Sequence, residues 1–447
     1  MKHWKLFLMV AVLAMTLIGL TGLVMAAATT DEAVAICESL YGDVFGVPNG
    51  EPLGPCQWDM SLINAGDESF AMATGKGVKV GVIDGGVDLN HPDIAPNLDV
   101  DLSCSFIYDE TPTADPSEIA NGDCSNKAAV QDIYGHGTHV ASTIAAPVNG
   151  IGIAGVAPEA TIVALKACTA EGFCFADSVA AALRYAGDQK LDVVNLSLFA
   201  DPYLYYCKSE QEQKEILKDL EAAARYARQQ GVLVVAAAGN EMADLQHPVI
   251  DDTSPDWPED SAEVRYVKNN CRVAPAELPG VMTVSSTGPI GIPGYDLWIA
   301  DYSSVGMSRV DVTAPGGDYF QATGKVQDAI LAAVPEDSTV FQGYDGLNIY
   351  YPGITVMDHG AAYAYLNGTS MASPHAAGVA ALVKQVHPNW APGAVKAAVQ
   401  NTAQHLDCPA NWAPLNAADE RERCYGEGGR TSFFGHGLVD ALAAAAK

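Results

Sequence analysis

The sequence predicts an α/β fold, a doubly wound and mostly parallel sheet with helices on both faces. Three observations carry the prediction: apolar runs of strand length that stop at turn residues, helical stretches alternating with them, and a 447-residue chain, 49% hydrophobic, able to bury a large core. The run VKVGVI from Val78 ends at Asp84, Gly85 and Gly86, as a buried parallel strand does. Comparable runs begin at Thr161 (TIVALKA), Asp192 (DVVNLSL), Gly231 (GVLVVAAAG) and Gly280 (GVMTVSS). Between them, ADSVAAALRYA from Ala176 and EILKDLEAAARYARQQ from Glu215 have helical periodicity. In such a sheet the ligand crevice lies at the carboxyl ends of the strands.

The chain opens with the basic stretch MKHWK and an apolar run from Leu6 to about Val24 that ends in Ala26, Ala27 and Ala28. This is the pattern of a signal peptide over residues 1–28. About 20 apolar residues can also span a bilayer as an uncleaved anchor. The alanine cluster favours cleavage, and either reading exports the bulk of the chain. Residues 29–54, with Gly50, Pro52 and Gly54, read as a short N-terminal extension of linker character. A single domain is expected over residues 55–447. Within it, residues 103–131, 241–276 and 319–360 look like loop insertions, and the terminal GLVDALAAAA reads as a closing helix with no further domain after it.

Ten cysteines suit an exported chain in which disulfides persist. Sequence proximity suggests Cys104 with Cys124, Cys168 with Cys174 and Cys408 with Cys424, leaving Cys207 with Cys271 and Cys37 with Cys56. Spacing alone does not decide connectivity. A formal charge of −30 argues against nucleic acid or anionic membrane surfaces as partners. It selects no substrate.

Four segments carry candidate chemistry. Asp84 stands at a strand end, where an aspartate commonly caps a turn. In GHGTHVAS, residues 135–142, glycines let a tight loop deliver His136 to the start of a helix. His136 and His139 could together ligate a metal, but no third ligand has supporting spacing, and His139 reads better as a space-filling histidine. In NGTSMASPHAAGVAALV, residues 367–383, Ser370 lies at the start of a helix whose small-residue face permits close packing, with Pro374 fitting the first turn. A serine there is commonly an N-cap. A helix N-terminus also offers N–H groups to developing negative charge. Asn240, after VVAAAG, presents an amide donor on the same crevice edge, or is simply a turn residue.

VGVIDGG, GHGTHVAS, AAAGN and NGTSMASPHAAGVAAL, in that order, resemble the hallmark segments of the subtilisin family. Similarity continues from about Trp58 to the final helix, through IAGVAPEATIVALKA, DYSSVG and VTAPGG. The resemblance implies a secreted serine endopeptidase: Ser370 as nucleophile, His136 as general base and then acid, Asp84 as the group that orients the imidazole, and Asn240 as an oxyanion donor. A serine hydroxyl is a weak nucleophile until a neighbouring imidazole takes its proton, which explains these residue types. Substrate, a protein or peptide, is expected to lie extended beside Ser197, Leu198 and Phe199. This segment also walls the primary pocket by resemblance, although Leu198 reads equally well as core. The loop APVNGIGIAG, residues 146–155, resembles the family's calcium loop. It implies a structural calcium held by Asp93, the Asn149 side chain and the carbonyls of Pro147, Ile151 and Ile153, as suits a hard cation. The bland reading is a surface turn.

Departures from the family are as informative. Gly85 stands where Ser or Thr is usual, Ser142 replaces a Gly, Phe199 stands where Gly lines the cleft, and a long loop follows Asn240. Only about 25 residues separate the signal segment from the enzyme, too few for an inhibitory prodomain of several tens of residues. Protein expressed from Thr29 onward is therefore expected to be active unaided. A requirement for an external prodomain would count against this.

Two other readings stay open: a non-catalytic module that binds extracellular peptides, motivated by Gly85 and Phe199, and a processing protease whose acidic loops select basic sequences. A complete Asp, His and Ser set disfavours the first. Peptide-library profiling separates the second from a broad endopeptidase. A monomer is expected.

Overall fold

The computed structural model describes residues 27–258, 260–292, 299–345, 347–409, 424–427 and 429–447, and each predicted strand run is a strand within it. The expected signal segment lies almost wholly outside these residues. In chain order the principal elements are β1 (Ala28–Thr29), α1 (Thr30–Tyr41), β2 (Lys79–Asp84), β3 (Cys104–Ser105), α2 (His136–Ala145), β4 (Thr161–Lys166), α3 (Ala176–Asp188), β5 (Val193–Leu196), α4 (Gln211–Gln229) and β6 (Leu233–Ala237). They continue with β7 (Met282–Thr287), β8 (Val312–Pro315), β9 (Ile330–Ala333), β10 (Thr355–Asp358), β11 (Ala361–Leu366), α5 (Thr369–Val386), α6 (Pro392–Thr402) and α7 (Ala441–Ala445).

Seven strands form one parallel sheet in the order β8–β7–β6–β5–β2–β4–β3. The chain runs outward from β2 on one side, crosses back, and continues through β5 on the other. The switch point thus falls between β2 and β5, where a doubly wound sheet opens its crevice. Both faces are apolar because the strands are covered on both sides. Val80, Val82, Ile162, Ala164, Leu233 and Val235 join one core with α2 and α5, whereas Ile83, Val163, Leu165, Val194, Val234 and Ala236 join a second with α3 and α4. Alternation along each strand puts these sets on opposite faces. Each such valine, leucine or isoleucine contributes about 1.5–3 kcal/mol when fully buried.

A second, four-stranded sheet, β1–β10–β11–β9, was not predicted. It corrects the loop reading of residues 319–360, which supply β9 and β10. The linker reading of residues 29–54 also gives way. Thr29 and Glu32 form a reciprocal cap for α1, β1 adds parallel to β10, and Tyr41 donates to Asp328 Oδ1 at 3.0 Å. Gly and Pro between Gly50 and Gly54 drew attention away from the helical TDEAVAICESLY before them. The cysteine pairs are Cys104–Cys124, Cys168–Cys174 and Cys408–Cys424, as proximity suggested, and the two that this leaves, Cys37–Cys56 and Cys207–Cys271. No helix among the described residues is long and apolar enough to cross a membrane.

Candidate active site

Asp84 ends β2, His136 begins α2 and Ser370 is the second residue of α5, so all three lie at the carboxyl edge of the parallel sheet. His136 Nδ1 is 2.8 Å from Asp84 Oδ1 and 3.0 Å from Oδ2. The approach depends on glycine. A Cβ on Gly137 would sit 2.1 Å from Gly86 O and 3.2 Å from Asp84 Cβ, and Gly135 enters the helix at φ +106°. Asp132 holds the loop: one oxygen accepts Gly135 N–H at 2.8 Å, and the other accepts Thr138 N–H at 2.8 Å and Thr138 Oγ1–H at 2.7 Å. Sequence reasoning missed Asp132, whose signal was a helix-capping residue type just ahead of the glycine loop.

Burial disfavours a charged imidazole, but the Asp84 carboxylate and its hydrogen bond, with Asp132 adding, hold His136 above the ordinary histidine range. His139 is the opposite case. It is fully buried between Ile330 O and Ala364 O, at 3.1 and 3.2 Å, and burial followed by repulsion from His136 pushes it down to about 3. It ties α2 to the second sheet as a neutral spacer, in keeping with the space-filling reading.

Ser370 Oγ–H donates to Ser197 O at 3.1 Å. Among the described residues, no hydrogen bond joins it to His136. Pro374 lies beyond the first turn of α5, which corrects the expected placement. Lacking an N–H, it leaves the carbonyl of Ser370, four residues back, without its helical donor. Ser197 Oγ–H takes that place at 2.7 Å. Asn195 and Ser373 complete the network between the end of β5 and the first turns of α5.

Asn240 Oδ1 accepts Thr369 N–H at 2.9 Å and Thr369 Oγ1–H at 2.8 Å. Its carbonyl is thereby committed to Thr369, while Nδ2 is not used in these bonds. The position a Cβ would take on Gly368 is 3.6 Å from both Asn240 Nδ2 and Ser370 N. Both nitrogens therefore lie near Gly368, next to the serine. Thr369, which fixes the amide, was also missed: a threonine flanking the candidate serine carries no signal of its own.

Leu198 is half-buried against the second core and Phe199 against the cluster of Leu204, Tyr205, Ala238 and Leu245, so both serve packing. Ser142 Oγ accepts Ala333 N–H at 3.0 Å and so joins α2 to β9. Asp93 Oδ2 accepts Ile153 N–H at 3.0 Å and Tyr363 O–H at 3.1 Å. Its Oδ1 is buried without a hydrogen-bond partner, and burial, with Glu51 adding repulsion, pushes the carboxyl up to about 8. Asn149 Oδ1 accepts Ile151 N–H at 2.9 Å while its Nδ2 donates to Pro92 O at 3.3 Å. Glu51, not anticipated from sequence, accepts Gly150 N–H at 2.8 Å. Among the described residues no three His, Cys, Asp or Glu side chains gather as a metal cluster.

A parallel sheet with this acid–imidazole pair and a serine at a helix N-terminus defines a serine-type endopeptidase. The comparisons make the assignment specific. The family model described as the subtilase family matches residues 75–437, and the chain belongs to that family. It is 32% identical over 387 residues to subtilisin BL of Lederbergia lenta, covering 87% of this chain and 97% of that protein. It is 31% identical over 362 residues to fervidolysin of Fervidobacterium pennivorans, covering 79% of this chain and 41% of that one. The crystal structure of fervidolysin, described as a keratinolytic enzyme related to subtilisin, superposes with a TM-score of 0.58 at 28% identity, over 89% of this chain and 46% of that one. The epidermin leader peptide processing serine protease of Staphylococcus aureus shares the fold, with a TM-score of 0.61 at 23% identity over 88% and 81% of the two chains.

Proposed function

We propose that this endopeptidase is exported, acts as a monomer and hydrolyses extracellular proteins through an acyl-enzyme, with Ser370, His136 and Asp84 as its triad. The observation that supports this best is the short contact between His136 Nδ1 and Asp84, with two N–H donors beside Ser370. Asp84 accepts the Nδ1 proton, leaving Nε2 as the base. As Ser370 Oγ attacks the peptide carbonyl, its proton passes to Nε2, and the Ser370 N–H and Asn240 Nδ2 receive the developing oxyanion. His136 then returns the proton to the leaving amine, and water repeats the cycle on the ester. A serine-directed fluorophosphonate is expected to label the protein but not its Ser370→Ala variant. Equal labelling of both, or none, would sink the reading.

Asp93 suits a hard cation: a buried carboxylate with one oxygen unpartnered, tied by its other oxygen to Ile153 N–H of the loop whose Asn149 side chain and Pro147, Ile151 and Ile153 carbonyls would complete the ligand set. Calcium bound there would supply charge that neutralises Asp93 and fastens residues 146–155. A chelator is expected to lower the thermal midpoint by about 5 °C, calcium to restore it, and Asp93→Asn to remove the response. A midpoint indifferent to chelator and calcium would exclude the site.

A further inference from the structure

A buried charge that the proposed chemistry does not use lies beside the Asp84–His136 pair. Lys166, the last residue of β4 and the register partner of Asp84, has no exposed surface. Its ammonium hydrogen-bonds two backbone carbonyls and is charge-paired with one carboxylate. Nζ reaches Gly85 O at 2.5 Å, Gln131 O at 3.1 Å and Glu118 Oε1 at 2.9 Å. Glu118 is also buried; its other oxygen accepts Asp115 N–H at 3.1 Å, and its carbonyl accepts Ser105 Oγ–H at 2.7 Å. The acidic insertion, closed by Cys104–Cys124, thus carries a counter-ion inward.

We propose that Lys166, neutralised by Glu118, is a positioning residue that sets the separation of Asp84 from His136. Gly85 follows Asp84 directly and donates its N–H to Asp84 Oδ1 at 2.7 Å. Gln131 precedes Asp132, whose oxygens hold Gly135 and Thr138 on either side of His136. One ammonium therefore ties the backbone beside the carboxylate to the backbone that carries the imidazole. The two loops are close enough for a side chain at position 85 to join them, since a Cβ there would lie 3.7 Å from Asp132 Oδ1. Glycine offers no such group, and Lys166 makes the connection through carbonyls instead.

The alternative is that the pair merely stabilises the fold, and the two roles separate experimentally. Removing one partner leaves an uncompensated buried charge, whereas replacing both by uncharged groups of similar volume is tolerated. The inference rests on the triad reading, so Ser370-dependent turnover is measured first; a silent wild type sinks that reading, and only an active one tests this. In the full-length Lys166→Met/Glu118→Gln double variant, the thermal midpoint is expected to stay near that of the wild type. Its kcat per titrated active site is expected to fall about 10- to 100-fold with KM within about twofold, because misplaced groups slow the chemistry without loosening substrate. In Glu118→Gln alone, which keeps the ammonium on both carbonyls, the midpoint is expected to drop while kcat stays within about threefold. A double variant with unimpaired kcat overturns the proposal, as does one that cannot fold, since the pair is then needed for stability. A Glu118→Gln enzyme as slow as the double variant also overturns it, by removing the ammonium's special part.

Discussion

Replacing Ser370 by alanine is expected to lower kcat on the order of 10⁶-fold while leaving the thermal midpoint unchanged, a scale taken from subtilisin-type enzymes. The size follows from the chemistry: without Oγ no acyl-enzyme forms, and what remains is hydrolysis by water assisted by the two N–H donors. The stability forecast follows from the structure. Ser370 is half-buried, its hydroxyl makes one hydrogen bond to Ser197 O, and the contact that braces the turn is made by its own backbone carbonyl with Ser197 Oγ. Alanine keeps that carbonyl. Steady-state kinetics and a melting curve on the same preparation check both halves. A variant within tenfold of wild-type kcat would remove Ser370 from the mechanism, and a collapsed midpoint would assign it to the fold.

The second large effect is expected at Asp84→Asn, with kcat falling on the order of 10⁴-fold, the magnitude seen for this change in serine protease triads. An amide can present an N–H to Nδ1 and so select the wrong tautomer, leaving Nε2 protonated and unable to act as base. The pH profile carries a second signature. Only the neutral imidazole accepts the Ser370 proton, so activity rises as pH climbs through the His136 pKa. Burial works against the charged ring, yet Asp84 and Asp132 outweigh it, so the acid limb of kcat/KM is expected above the ordinary histidine value of 6.5. Removing the Asp84 charge moves that limb downward in the residual activity. An unmoved limb would mean that another group sets the ionisation.

The candidate site was legible because its chemistry is local. Asp84 ends a strand run, His136 sits between two glycines and Ser370 begins a small-residue helix, each within a segment whose pattern is unusual on its own. The residues that tune the site were not legible. Thr369 and Lys166 act through contacts between segments far apart in the chain, such as Lys166 with Glu118, and nothing in the spacing of either reports the other, whereas Asp132 acts locally on Gly135 and Thr138 but is one of many aspartates in the sequence. The same holds for the second sheet. Strand β1 is two residues long, and it joins β10 across more than 300 residues of chain, so the pairing that makes this sheet is not a property of neighbouring residues.

Sequence alone determined the parallel sheet, the two faces of its core and the four chemical segments, because strand alternation, helical spacing and glycine turns are properties of neighbouring residues. Tertiary structure decided which oxygen the Ser370 hydroxyl faces, that Pro374 frees a carbonyl for Ser197, that Asn240 commits its amide oxygen to Thr369, and that an acidic insertion buries a glutamate against Lys166. Those outcomes depend on distances of a few ångströms between groups tens to hundreds of residues apart. Such distances are set only when both cores have packed.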